Sequence, residues 1–360
     1  MARVYNFNPG PATLPLDVLK IVRDEFLDYR GTGMSIIESS HRSPEFDEIN
    51  EQAIALVREV LGLGDDYHIL FMGGGASTQF ALIPMNLAAA GQVGAYVDTG
   101  TWSTKAIKEA EIQGKAHLAA SSKPVEYKKI PAADEIKYPK DAAYLHITTN
   151  NTIKGTQFHY TPETGSMPLI ADMSSDIASR RLDFKKFSMI YAGAQKNIGP
   201  AGVTMVAIRD ELMKKANGGL PSMFMYKTYA DKKSLYNTPP AFCIYVVKLV
   251  FEWIKKQGGL AAVEKVNQAK KDIIYDLIDR YPDFFRGTVE KDSRSWMNVT
   301  LRLPDEELEK KLIAEAKAAG FVGLKGHRSV GGIRVSLYNA LPLEGAEKLA
   351  AFMTSFKDAN

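Results

Sequence analysis

Cysteine is almost missing from this chain of 360 residues, where Cys243 stands alone. A lone thiol excludes a disulfide framework and any cysteine-rich metal site, and it fits a reducing compartment. An excess of charge of one sign is missing too. Lysine and arginine number 45 against 42 aspartates and glutamates, a formal net charge of +3. A nucleic-acid scaffold is therefore not expected, and any basic patch must be local. There is no long apolar run: the most apolar stretch, 241–254, is broken by Lys248 and Glu252, so no membrane span is expected. The opening MARVYNFNPG has no apolar core, so no secretory signal is expected either. Apolar residues are not scarce, at 45%, which excludes a disordered chain. The expectation is a soluble, cytoplasmic protein, long enough for one large domain and a smaller one.

Helical spacing of Leu19, Val22, Phe26 and Tyr29 predicts a helix over 15–29. A second helix is expected after Ser43-Pro44, an N-cap followed by proline at the first position, and Gly62 should end it. From residue 68 the texture changes to short apolar runs at 68–72, 93–97, 115–120, 143–148, 168–172, 189–192 and 203–208, separated by glycine-rich turns and helical segments. That alternation predicts an α/β fold with a mostly parallel sheet covered on both faces. In such sheets ligands gather where the carboxyl ends of the strands meet. After Pro239-Pro240 the pattern turns helical through 241–257 and 260–280, then becomes mixed again to the end. The expected division is an arm over 1–15, a large domain over 16–261 and a smaller α+β domain over 262–360.

Several residues stand where chemistry is expected. Lys196 follows the apolar run 189–192, and a lysine closing a buried strand can lose hydration and become a nucleophilic amine. Asp172 closes the preceding run, 168–172. An acid and a lysine closing neighbouring strands suggest a pyridoxal phosphate site, with the lysine as the Schiff-base partner and the carboxylate on the pyridinium nitrogen. On its own, Asp172 also suits capping of the Ser174-Ser175 turn. Gly73-Gly74-Gly75-Ala76-Ser77-Thr78, between a strand and a helix, offers bare amides and hydroxyls to a phosphate. It matches neither the P-loop nor the dinucleotide pattern. Trp102 lies at a further strand-to-helix junction, suited to stack on a flat ring. Two pairs, His41-Arg42 and His327-Arg328, and Arg334 beside Gly331-Gly332 form cationic clusters suited to a multiply anionic substrate.

Taken together these segments resemble the phosphoserine aminotransferase family of class-V, fold-type I pyridoxal phosphate enzymes. The likeness runs from Asn6-Phe7-Asn8-Pro9-Gly10-Pro11 through Thr101-Trp102-Ser103, Ala171-Asp172-Met173 and Gly193-Ala194-Gln195-Lys196-Asn197-Ile198-Gly199-Pro200 to Tyr236-Asn237-Thr238-Pro239-Pro240 and Gly326-His327-Arg328. The resemblance implies a large domain with a seven-stranded sheet and a smaller C-terminal α+β domain. It makes Lys196 the Schiff-base lysine and proton shuttle, Asp172 the pyridinium partner, Trp102 the stacking ring and Thr152 a contact to the 3-hydroxyl side. Ala76, Ser77 and Gln195 would hold the cofactor phosphate, with Asn237 and Thr238 contributed by the other subunit of a homodimer. Arg334 would take the substrate α-carboxylate, and His41, Arg42, His327 and Arg328 the phosphate or distal carboxylate, some from across the dimer. The implied reaction exchanges the amino group between L-glutamate and 3-phosphohydroxypyruvate, giving O-phospho-L-serine for serine biosynthesis; some members also serve pyridoxine synthesis through 4-phosphohydroxy-L-threonine. One departure stands out, since some members carry an arginine just after the glycine run where this chain has Ala76-Ser77-Thr78. An alanine–glyoxylate type aminotransferase would need only one carboxylate receptor. A cysteine desulfurase would need a cysteine on a mobile loop, whereas Cys243 lies in an apolar segment.

Overall fold

Short apolar runs bounded by glycine and polar turns become strands through the middle of the chain. The computed structural model describes residues 3–360; Met1 and Ala2, the start of the expected arm, lie outside the described residues. After β1 (Tyr5–Asn6) come β2 (Tyr67–Met72), β3 (Gly94–Asp98), β4 (Ala116–Ser121), β5 (Tyr144–Thr148), β6 (Leu169–Asp172), β7 (Met189–Gly193) and β8 (Thr204–Arg209). The last seven form one sheet in the order β2-β8-β7-β6-β5-β3-β4. Neighbours from β4 to β7 are parallel, and β8 alone runs against both β7 and β2. The carboxyl ends of β2, β3, β5, β6 and β7 therefore open on one edge.

The pleat sorts the strand residues between two apolar layers. Ile69, Phe71, Ile190 and Ala192 pack with helices Pro44–Leu61 and Ala241–Lys256. Leu70, Met72, Met189 and Tyr191 face the other way, onto helices Gly75–Leu87 and Thr101–Ile112. Pro44–Leu61 starts as its sequence demands: the Ser43 hydroxyl accepts from the Phe46 amide at 3.4 Å, and Gly62 closes it at φ 64°.

The first helix is shorter than its periodicity, running only Leu16–Asp24. The chain then turns through Arg30, Gly31 and Gly33, all at positive φ, while the Tyr29 amide donates to the Met34 carbonyl at 2.8 Å. Tyr29 is buried edge-on against Tyr245. Its apolar spacing recorded burial, not helix length.

The C-terminal part holds β9 (Arg286–Gly287), β10 (Asn298–Arg302), β11 (Phe321–Val322) and β12 (Ile333–Ser336). Three of these form an antiparallel sheet in the order β12-β10-β9, and β11 pairs in parallel with β1. Helix Gly259–Arg280 serves both regions. Val263 joins the large-sheet core, whereas Ile274, Leu277 and Ile278 join the core under β10 and β12. Among the described residues no helix is long and apolar enough to cross a membrane, and no cluster of metal-ligating side chains occurs.

Polar contacts lock the two regions together beside this helix. Asn339 donates its side-chain amide to the Ala178 carbonyl (3.0 Å) and accepts from Asn267 (2.8 Å), while its backbone amide donates to Asn197 Oδ1 (3.0 Å). Lys270, fully buried, donates to the carbonyls of Leu337, Tyr338 and Leu341 at 2.8–3.1 Å. Burial pushes its ammonium down to about 7. Asn339→Ala removes both side-chain bonds and strands buried partners, so it should destabilise the protein by about 2–4 kcal/mol. Thermal unfolding checks this, and an unchanged melting temperature would show that the amide does not hold the junction.

Candidate active site

The lysine and the acid meet because adjacent parallel strands bring their ends together. Asp172 stands level with Tyr191 across β6 and β7, and the chain leaves β7 at Gly193 to turn through Lys196. That turn is fixed from both sides: Ala194 donates its amide to the Val203 carbonyl (3.0 Å), and Ala12 of the N-terminal arm donates to the Gln195 carbonyl (2.8 Å). Gly10 lies against it so closely that a Cβ there would sit 3.2 Å from Lys196 Cγ, at a φ of 129°. The Lys196 ammonium donates to Thr152 Oγ1 at 2.9 Å and lies 5.6 Å from the centre of the Trp102 ring.

Desolvation pushes Lys196 down to about 8, with the Arg334 cation acting the same way and Asp172 and Asp176 acting against it. Asp172 is pushed above the usual carboxylate range by burial, although Lys196 and Ser174 favour its charged form. Both hydrogen bonds it receives, from the Ser174 amide (2.9 Å) and hydroxyl (2.7 Å), reach Oδ1. One oxygen thus caps the turn, and no group among the described residues donates to Oδ2. The two sequence readings of Asp172 are compatible, one for each oxygen.

Trp102 begins helix Thr101–Ile112. Ser103 Oγ accepts from the Thr99 and Gly100 amides at 2.9 Å each, and Asp98 accepts from Ser103 and Thr104. The Trp102 indole nitrogen is buried without a partner. Asn151 reaches Thr99 (3.0 Å) and Thr156 (3.1 Å) and so places the turn that carries Thr152.

Helix Gly75–Leu87 opens with Gly74 at φ 85°, where a Cβ would meet Thr78 Oγ1 at 2.1 Å; only glycine fits. The Thr78 hydroxyl is spent on the Gly74 carbonyl (2.8 Å), which leaves Ser77, exposed beside the part-buried Ala76, as the free hydroxyl of this turn.

Arg334 is buried on β12. Its Nη1 donates to the Thr152 carbonyl at 3.4 Å, and its Nε has no partner. His327 is part-exposed; burial and the nearby charges of Arg334, Arg328 and Lys105 pull its imidazole below the usual range. His41 holds a buried, unpartnered Nε2, whereas Arg42, Asn237, Thr238 and Arg328 are exposed. No hydrogen bond or ion pair among the described residues joins His41, Arg42, Asn237 or Thr238 to Lys196.

Other groups here escaped sequence reasoning. The Tyr338 hydroxyl donates to the Pro9 carbonyl (2.9 Å) and accepts from Asn298 (3.2 Å), while Asn150 joins Asn298 to Ser175. Asp176 is buried and accepts from Thr149 and Gln157. Lys105 lies 4.8 Å from the Trp102 ring centre. Asn150-Asn151 is set off from the end of β5 by Thr149 alone, and Asp176 closes the Ser174-Ser175 turn after β6. That nearness to an apolar strand end is the signal that could have found them.

An acid and a low-pKa lysine at the ends of adjacent parallel strands, roofed by an indole and flanked by a glycine-opened helix, define a site of the fold-type I pyridoxal phosphate class. The Aminotransferase class-V family matches residues 4–349. The phosphoserine aminotransferase of Desulfosudis oleivorans is 56% identical over 360 residues, covering 99% of each chain. The structure of the phosphoserine aminotransferase from Bacillus circulans subsp. alkalophilus superposes with a TM-score of 0.97 at 52% identity, again over 99% of both chains. A PLP-bound phosphoserine aminotransferase from Trichomonas vaginalis gives 0.93 at 36% identity, over 98% of this chain and 100% of that one. The chain belongs to the class-V aminotransferases, within the phosphoserine aminotransferase family.

The lowered amine pKa has a direct readout. In cofactor-free protein, the rate at which Lys196 reacts with an amine-selective reagent, followed by peptide mass spectrometry, should rise with pH through a midpoint near 8. Asp172→Asn removes a charge that favours the ammonium, so it should move the midpoint lower still. A midpoint near that of free lysine, about 10.4, would contradict the desolvation argument.

Proposed function

We propose that this chain transfers the amino group of L-glutamate to 3-phosphohydroxypyruvate, reversibly, giving O-phospho-L-serine and 2-oxoglutarate, with pyridoxal 5′-phosphate as cofactor. The observation that carries the reading is the Lys196–Asp172 pair at neighbouring strand ends, with the amine on Thr152 and one carboxylate oxygen unengaged.

The residues suit the cofactor. Asp172 is a buried residue whose Oδ2 receives no donor from the described residues, which leaves that oxygen for a cation such as a protonated ring nitrogen. The bare amides at Gly74–Gly75 and the exposed Ser77 hydroxyl suit a phosphate, and Trp102 offers a flat ring beside Lys196. When bound, the cofactor supplies the carbonyl that carries the amino group and the ring that absorbs the electron pair left by deprotonation.

The protein's share follows from its own groups. Asp172 holds the proton on the ring nitrogen. Lys196, positioned by Thr152, would take the substrate α-proton at Nζ as a free amine. Arg334 presents Nε and Nη2, without protein partners, as a fork for the α-carboxylate. His327 and Arg328 stand beside it for the distal phosphate or γ-carboxylate. We further propose a homodimer in which His41, Arg42, Asn237 and Thr238 complete the partner's site. That none of them bonds to Lys196 within one chain, among the described residues, supports this, as does the exposure of all but part-buried His41.

An alanine–glyoxylate exchange would leave His327, Arg328, His41 and Arg42 without purpose. A desulfurase is disfavoured because Cys243 is half-buried on a helix, donates to the Ala201 carbonyl at 3.4 Å, and has its thiol pushed up by burial.

The test is the absorbance spectrum of the purified protein with phosphoserine, glutamate, alanine and serine added separately. The cofactor band should change with the first two only, and Lys196→Ala should lower turnover by roughly three orders of magnitude or more. A band that answers best to alanine or serine would keep transamination and remove phosphoserine as substrate. No band, even with added cofactor, would end the reading built on Lys196.

A further inference from the structure

Beside Arg334, on the side of the 123–128 loop, lies a cavity of about 550 Å³. Lys123, Lys128, Lys154, Arg302 and Arg334 line it together with His327, against the single acid Glu126. The whole chain carries a formal net charge of only +3, so this is a local concentration of positive charge. Two of the cations are neutralised: Lys128 pairs with Glu126 at 2.5 Å, and Arg302 with Glu309 at 2.5 Å. Lys123 and Lys154 have no carboxylate partner among the described residues. The Lys154 ammonium rests instead over the Tyr127 ring, 5.1 Å from its centre, and Arg334 Nε is unpaired. Uncompensated cations converging on one cavity make a receptor for an anion.

The walls are fixed in place. Glu126 and Tyr127 are held at φ 56° and 65°, a conformation that residues other than glycine keep only where their surroundings impose it. Here the Tyr127 hydroxyl is anchored on Asp98 Oδ2 at 3.1 Å. The Lys154 carbonyl accepts from Thr300 Oγ1 at 3.1 Å, and a Cβ on the next residue, Gly155, would meet that oxygen at 2.4 Å. The turn bearing Lys154 is thus clamped onto β10. That same turn carries Thr152, whose hydroxyl holds Lys196.

We propose that this cavity is an accessory site for a phosphate group, free or on a small monoester, centred on Lys123 and Lys154, and that it borders the reaction centre at Arg334 and His327. The inference rests on the reading of Arg334 as receptor for the substrate α-carboxylate. One guanidinium cannot serve two anions in full, so phosphate in the cavity draws Arg334 away from the amino acid and inhibits by raising its KM.

The test titrates the cofactor-loaded enzyme with inorganic phosphate and, separately, with O-phospho-L-serine, by calorimetry and by inhibition of the glutamate half-reaction. In the double variant Lys123→Met/Lys154→Met, phosphate affinity should fall about tenfold or more. Its inhibition of the glutamate reaction should vanish, with glutamate KM in phosphate-free buffer unchanged. Phosphate affinity unaltered in that variant but lost in His41→Ala/Arg42→Ala would place the anion in the substrate pocket and overturn the accessory site. Weakened phosphoserine binding with unaltered phosphate binding would overturn it as well. Lysine-dependent phosphate binding in a protein that fails to react with phosphoserine would sustain the cavity and remove the proposed reaction instead.

Discussion

The dehydration of one amine beside one carboxylate is the constraint around which this molecule is organised. A parallel sheet places the ends of neighbouring strands about 4.8 Å apart, so whatever follows β6 and β7 must share a small volume already walled by the two apolar layers. In that volume charge is costly, and each ionisable group needs either a partner or a displaced pKa. Asp172 spends one oxygen on Ser174 and keeps the other, while Lys196 keeps a single hydroxyl contact with Thr152. Both groups are left reactive because their surroundings satisfy them only in part.

That incomplete satisfaction is held in place by three sets of paired amides, hydroxyls and carbonyls around it, although the Trp102 indole nitrogen and Arg334 Nε also stay without partners. Asn150, Asn298, Ser175 and Ser295 form a closed set of bonds under the strand ends. Asn339, Asn267 and Asn197 form a second where the C-terminal region meets the sheet. The N-terminal arm closes the third side, through Ala12 on the lysine turn and Pro9 on Tyr338. Arg334 reaches the site only because β12 is held against Thr152 by these contacts. Its backbone amide, which donates to the Leu324 carbonyl at 2.8 Å, ties it further to the loop carrying His327.

The sheet was legible because its inner strands are largely apolar runs ending in a glycine or polar turn, and burial on both faces writes that pattern plainly, whereas the edge strand β4, with Leu118 exposed, is only part-buried. Lys196, Asp172 and the glycine turn were legible for the same reason, as chemistry-bearing residues at the ends of such runs. The two-residue strands β1, β9 and β11 were not, since two residues carry no periodicity. Nor was the end of the first helix, where Tyr29 continues the apolar spacing into a turn of opposite-handed backbone. The clamps on the lysine turn were hidden for a different reason. Gly10, Ala12, Asn197 and Asn339 act through backbone groups and amides whose partners lie far away in sequence, and no local pattern marks them.

Arg334 links binding to proton transfer on the reading proposed above. Burial is the main influence that holds Lys196 below the usual lysine range, Asp172 and Asp176 act upward, and the Arg334 cation adds a smaller downward push. A substrate carboxylate seated on Arg334 neutralises that cation and removes its repulsion from the amine. The pKa of Lys196 then rises while the substrate is in place, making Nζ a stronger acceptor when the α-proton must be taken. As product leaves, the arginine charge returns and the amine is pushed back toward its neutral, nucleophilic form. The same guanidinium that selects an amino acid by its carboxylate thus also contributes to the basicity of the lysine, and any anion that draws it aside touches both at once.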